Sequence, residues 1–248
     1  MIKRILTVGI STCLIMSAYG IREEDLTPFT RALRRGTAEE VRAQIAQGAD
    51  VNQATNDRIS PLCHAIAGNN EVAITVLLEA GADVNLLDAN NFTPLLCAAG
   101  VGNLGVIELL LNGHADIHGR DNQRRTPLMA AACFGRLDIT TLLINRGARV
   151  ADRDVQGRTA LIHAAIGRSP NSVATTSMLI APTLAALRPE RRAHHLAQAI
   201  YTAYTRQKME QAEVLAQAAQ EGGMLPAVTA IIEEQQNRGR AQRENQQP

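Results

Sequence analysis

Thr93-Pro94-Leu95-Leu96-Cys97-Ala98 opens a unit that the chain repeats on either side of it. Thr27-Pro28-Phe29, Ser60-Pro61-Leu62, Thr126-Pro127-Leu128 and Thr159-Ala160-Leu161 continue the series, each start 33 residues from the next. Five residues after each start stands an alanine: Ala32, Ala65, Ala98, Ala131 and Ala164. A hydroxyl followed by proline marks a helix start, because the hydroxyl accepts a free backbone N–H and proline lacks the donor that the first turn cannot satisfy. The alanine fits a crowded point where helices of neighbouring units meet and a larger side chain would overpack. A second helix is predicted after each first one, for example over Val72 to Ala80, with Ile74, Leu77 and Leu78 on one face.

The far end of the unit repeats as well. Gly48-Ala49-Asp50-Val51-Asn52 returns as Gly81-Ala82-Asp83-Val84-Asn85, with glycine ending the second helix in the left-handed conformation. An extended hairpin then leads to the next start. One such unit cannot bury its own apolar face, so several must stack into a continuous core. In the third unit His114 occupies the glycine slot and Gly113 precedes it, while in the fourth Arg149 replaces the repeating Asp. A looser hairpin is expected after Arg149.

These units resemble ankyrin repeats, on their T-P-L-x-x-A opening and G-A-D-V-N close. The resemblance is good over Leu26 to Ala151 and continues more weakly to about Ile232. It implies an all-α solenoid of helix-turn-helix units with protruding hairpin loops, about six repeats plus a C-terminal capping helix. The histidine that usually follows T-P-L in the family is missing here; Cys63, Leu96, Met129 and Ile162 stand in its place.

Composition agrees with thin, closely stacked helices. Aromatic residues make up 2% of the 248, with no Trp, which is sparse for a globular core of this length. A net charge of +1 gives no global field for nucleic acid or an acidic membrane. Residues 1–20 read as a cleaved signal peptide: Lys3 and Arg4 precede an uncharged, mostly apolar run from Ile5 to Ala18, and Ala18-Tyr19-Gly20 offers small residues for cleavage. The run is short for a membrane span. The expected localisation is therefore secreted or periplasmic, with an uncleaved membrane anchor as the alternative. Cys63, Cys97 and Cys133 form no disulfide or zinc pattern and read as small buried hydrophobes.

The repeat domain is expected over 24–236, divided as 27–59, 60–92, 93–125, 126–158 and 159–190, a degenerate 191–223 and a cap 224–236. Beyond Ala165 the spacing slips: Gly167 to Ser172 contains an insertion, and Pro182 and Pro189 bracket another break. Arg191 to Thr205 and Lys208 to Gln220 read as a helix pair, followed by a last helix from about Pro226 to Gln236. Asn237 to Pro248 is polar and is expected to be disordered.

No catalytic set emerges: the chain has no G-x-S-x-G, H-E-x-x-H, phosphate loop or dinucleotide fingerprint. His114 and His118 flank a hairpin instead of sharing a helix face. The expectation is a non-enzymatic chain without cofactor or metal. Resemblance to ankyrin repeats implies a protein-binding module that uses the concave face and hairpin tips. Carried over by position, it selects Ile59, Phe92, Arg125 and Arg158 just before each cap, and Val101 and Phe134 at the ends of first helices. Hairpin positions add Arg120, Arg124 and Arg153, beside Asn90, Asn122, Gln123 and Gln156. Arginine beside aromatic rings suits a protein partner with an acidic segment; nucleic acid is not expected, and the chain is expected to be a monomer. The alternatives are an exported effector that binds a host protein and an accessory or inhibitory subunit of an extracytoplasmic enzyme.

Overall fold

The computed structural model describes residues 26–55, 58–88, 91–167 and 169–244. Those residues form helices and no strands. The helices are α1 Pro28–Arg35, α2 Ala38–Ala46, α3 Pro61–Ala67, α4 Glu71–Glu79, α5 Pro94–Val101, α6 Leu104–Asn112, α7 Pro127–Cys133, α8 Leu137–Asn145, α9 Ala160–Ala165, α10 Ser172–Ala186, α11 Pro189–Thr205, α12 Met209–Glu221 and α13 Leu225–Glu244. First helices pack on first helices in sequence (α1, α3, α5, α7, α9, α11), and second helices do the same. The result is a two-layer solenoid of six helix pairs, closed at its C-terminal end by α13 against α11 and α12.

Local chemistry explains the starts. Thr27, Ser60, Thr93 and Thr126 accept the backbone N–H three residues on, at 3.1–3.3 Å, with proline next in line. Asn70 and Asn103 cap α4 and α6 in the same way, and Thr37 with Glu40 forms a capping box on α2. Ala65, Ala98, Ala131 and Ala164 are fully buried, as the repeated alanine requires. The core runs the length of the array through Leu62, Ile74, Leu95, Ile107, Leu110, Leu128, Ile139, Leu161 and Leu196. Full burial of each Leu or Ile contributes about 1.5–3 kcal/mol.

Adjacent units are also stitched through their closing loops. Asn52 accepts the N–H of Asp83 at 2.7 Å and donates to Gly81 O; Asn85 accepts from Asp116 at 2.8 Å and donates to His114 O. The sequence ends this ladder, since His118 and Arg149 take the next Asn and Asp positions. His114 has φ +64°, in phase with Gly48, Gly81 and Gly147, so the left-handed slot survives the substitution.

The C-terminal third meets the sequence expectation at one break and departs from it at the last helix. The break expected between Pro182 and Pro189 falls at residues 187–188, between α10 and α11; Pro182 itself lies inside α10, where it removes one helix donor without ending the helix. The last helix does not stop near Gln236; α13 continues through 237–244, part of the polar stretch expected to be disordered. Residues 1–20, the expected leader, and 245–248 lie outside the described residues, as does Asn90.

Candidate functional site

The residues just before the first-helix caps form a row across neighbouring units, and their environments differ sharply. Ile59 is only 3% exposed and belongs to the core. Its selection as a contact residue is corrected: an isoleucine here is buried with the core instead of facing outward. Phe92 is half-buried, with its N–H donating to Asp88 Oδ1 at 2.8 Å. The Arg125 guanidinium lies over the Phe92 ring, 5.6 Å from its centroid.

Arg125 is held from below. Its backbone N–H donates to Asp121 Oδ1 at 2.8 Å, and its Nε and Nη2 each reach Asp121 Oδ2 at 2.6 Å. Arg158 repeats the arrangement one unit on, with N–H to Asp154 Oδ1 and Nε to Asp154 Oδ2, both 2.8 Å, and Nη2 to Gln156. Both arginine side chains keep 24% of their surface open, whereas the carboxylates beneath are buried. The hairpin aspartates therefore serve two tasks at once: each closes its own turn through backbone N–H groups and fixes the arginine that follows.

The remaining arginines are engaged differently. Arg120 pairs with Asp152 of the next hairpin at 2.8 Å. Arg153 donates Nη1 to Gly157 O at 2.9 Å and approaches His195 Nδ1 at 3.5 Å. Arg124 is exposed at the tip, with φ +58° in the slot that Arg58, Asn91 and Gly157 share. Tips join across units through Asn91 to Asn122 at 2.8 Å and Val155 N–H to Gln123 O at 3.0 Å. Of the five hairpin arginines, Arg120, Arg125 and Arg158 are thus neutralised by aspartates of the chain.

Val101 and Phe134 are not part of this ledge. Phe134 is the C-cap of α7, a full helix away from Arg125, and borders an open hollow of about 600 Å³ with Gly102, Leu137, Thr141 and Ser169. Val101 is partly buried, and its carbonyl accepts Arg136 Nη2 at 2.8 Å. Phe92, before the start of α5, and Phe134, at the end of α7, thus stand at opposite ends of the first-helix layer.

Histidines that sequence reasoning left scattered are organised around the fifth hairpin. His163 Nε2 donates to Asp154 Oδ2 at 2.9 Å, and His195, on α11 in the sixth unit, meets Thr159 Oγ1 through Nε2 at 3.0 Å. Burial holds both imidazoles below the usual range, helped by Arg158 at His163 and by Arg153 and His194 at His195, which is lowered to about 4. Burial would raise the Asp154 carboxyl, but the hydrogen bonds from His163 and Arg158 outweigh it and keep it ionised. Cys63 and Cys97, on adjacent first helices, also come into contact. Their hydrogen bond, together with burial, pushes the Cys97 thiol well up and keeps it unreactive. No group of three or more metal-capable side chains occurs among the described residues.

A family profile for ankyrin repeats, three copies long, matches residues 29–121 and again 96–181, together more than half of the chain. No curated protein matches the chain. Ankyrin repeats are protein–protein interaction modules, typically without catalytic activity.

Proposed function

The chain belongs to the ankyrin-repeat family, and we propose that it binds a partner protein on the ledge formed by Phe92, Arg125 and Arg158, with Arg124 at its outer edge. The observation that carries this reading is the Arg125 guanidinium, stacked on Phe92 and pinned by Asp121 yet still partly open. A fixed arginine over an aromatic ring loses little freedom on binding, and this favours a binding hot spot. Three aspartates neutralise three of the arginines, so the ledge suits a protein segment with isolated carboxylates better than a polyanion. Nucleic acid fits poorly for the same reason.

Export to a secreted or periplasmic site is part of the proposal and rests on the basic and apolar pattern of residues 3–18. No described helix is long and apolar enough to cross a membrane. The test is affinity capture from the extracytoplasmic fraction with wild type, a Phe92→Ala/Arg125→Lys variant and a Phe134→Ala variant of equal helicity. Lysine keeps a cation beside Asp121 while removing the planar stack. A partner lost only by the first variant supports the ledge. A partner lost only by Phe134→Ala moves the site to the opposite ends of the first helices.

A further inference from the structure

The sixth unit is more than a cap, because its helix α11 reaches back into the fifth hairpin. We propose that His195 is a positioning residue for the hairpin 152–158: neutral, it holds Arg153 and through it Gly157 and Arg158; protonated, it releases them. The proposal rests on the reading of Arg158 as part of the binding ledge and adds its regulation by pH.

The geometry fixes the proton inventory. Arg153 can only donate, so His195 Nδ1, 3.5 Å from its Nη2, must be the bare acceptor. Nε2 therefore carries the hydrogen and donates to Thr159 Oγ1 at 3.0 Å. A second proton can go only to Nδ1, where it meets a guanidinium: an acceptor becomes a donor and a positive charge faces another. Arg153 is also the link to the hairpin, since its Nη1 holds Gly157 O at 2.9 Å. Gly157 occupies the left-handed slot at φ +75° directly before Arg158. Displacing Arg153 thus removes the tie at Gly157 O and leaves the turn to the bonds that Asp154 accepts from the N–H groups of Gln156, Gly157 and Arg158.

Two further observations fit a clamp. Thr159 is the only first-helix cap in the first five units whose hydroxyl makes no hydrogen bond to its own helix; it faces His195 instead. Its successor is alanine, where the earlier units have proline, so α9 depends more on outside support. The charges acting on His195 are Arg153 from the hairpin and His194 from its own helix; α9, which carries His163, and α12 and α13, which also pack on α11, add none to these. Fully buried, the imidazole takes a proton easily only when the hairpin opens. Acid therefore favours the open hairpin, from about pH 6.5 downward.

Hydrogen exchange on the full chain tests this without a partner. Rates in hairpin 152–158 are compared with those in hairpin 119–125 of the same molecule, at pH 7.5 and pH 5.0, after correction for intrinsic exchange. Opening of the fifth hairpin is expected to rise by up to about 30-fold on acidification, with the fourth unchanged. His195→Gln, which can still meet Thr159 but cannot titrate, is expected to remove most of the rise, leaving only what His163 beside Asp154 contributes. Arg153→Gln is expected to raise opening of the hairpin already at pH 7.5 and to weaken its dependence on pH. Equal acceleration in both hairpins, or a rise of undiminished size in His195→Gln, would overturn the clamp. Because no partner is present, failure here leaves the binding proposal standing, and failure to capture a partner leaves the clamp standing.

Discussion

The first four units and the last two solve one problem by different means. In units one to four, helices of seven to nine residues start on their own Thr, Ser or Asn caps, with Arg136 at α8 as the exception. Neighbouring units there share a hydrogen-bond ladder built from Asn52, Asp83, Asn85 and Asp116. From α9 to α12 no helix has a side-chain cap bond, and α10 to α12 run for 13 to 17 residues. Each short helix in the regular region depends on backbone satisfaction, which a 33-residue period can supply repeatedly. The later units depend on longer buried faces and on single side chains such as His195 that bridge units once. The regular region repeats its links unit by unit; the bridged region carries His163 and His195, the buried histidines held below their usual range.

The largest effects should come from the core, and they should separate the halves by cooperativity instead of magnitude. Leu110→Ala in α6 and Leu215→Ala in α12 each remove a fully buried side chain, at a cost of roughly 2–5 kcal/mol. Stability in a repeat array is close to a sum of unit and interface terms. Leu215→Ala should therefore melt the C-terminal units first and give two steps in urea, followed by helicity and by hydrogen exchange. Leu110→Ala, in the middle of the array, should lower the midpoint of the main transition. A single shared transition in both variants would mean that the two regions fold as one unit.

Acid should act on the C-terminal half. His195 is lowered to about 4 in the fold, from about 6.5 in the unfolded chain, so the unfolded state takes the proton first. Its contribution is complete above pH 6.5 and is lost as the pH falls toward 4, a change of roughly 3 kcal/mol. His163 is lowered too and acts with the same sign. Asp154, depressed as well, keeps its contribution until the pH falls below about 3.9, the unfolded carboxylate value. Thermal unfolding from pH 7.5 to 4.5 should show this loss, and His195→Gln should flatten most of it. An unaltered slope in that variant would remove His195 as the source.

How much of this could be read from the chain follows the same division. The helix pairs were legible because cap, proline and alanine each recur with a physical reason, and the left-handed slot at His114 was legible from phase alone. The ledge was legible only in part. Phase selected positions 59, 92, 125 and 158 as one row, but whether a residue there faces outward depends on its size and on its hairpin Asp. Ile59 has Thr55 where the others have Asp88, Asp121 and Asp154, and it turned inward. His195 was not legible, because its partner Thr159 lies 36 residues away in a stretch where the period had already slipped. Cys63 and Cys97, a unit apart, met for a similar reason: contacts between stacked helices leave no mark in local spacing.

A smaller effect would extend the regular pattern. Arg136 holds the N-cap position of α8 without a side-chain cap bond, where Asn70 and Asn103 serve α4 and α6. Arg136→Asn should cap α8 and raise stability by about 1 kcal/mol, less what is lost with the Arg136 bond to Val101 O. A fall in the urea midpoint would show that the bridge to Val101 outweighs the cap.

The smallest expected change tests the slot that closes each unit. His114 sits at φ +64°, where Gly48, Gly81 and Gly147 stand in the other units, with φ from +84° to +96°. A side chain at positive φ carries strain that glycine does not, although glycine also gives the unfolded chain more freedom to lose. The first term should win, since the Asn85 bond is to the His114 carbonyl and survives the change. His114→Gly is expected to stabilise by about 0.5–1 kcal/mol. Gly147→Ala is the converse: nothing lies within 4 Å of the added carbon, so its cost would be backbone strain alone, about 1 kcal/mol at φ +92°. If both substitutions destabilise, the His114 side chain itself supports the loop, and the third unit is then closed by a contact that the other units lack.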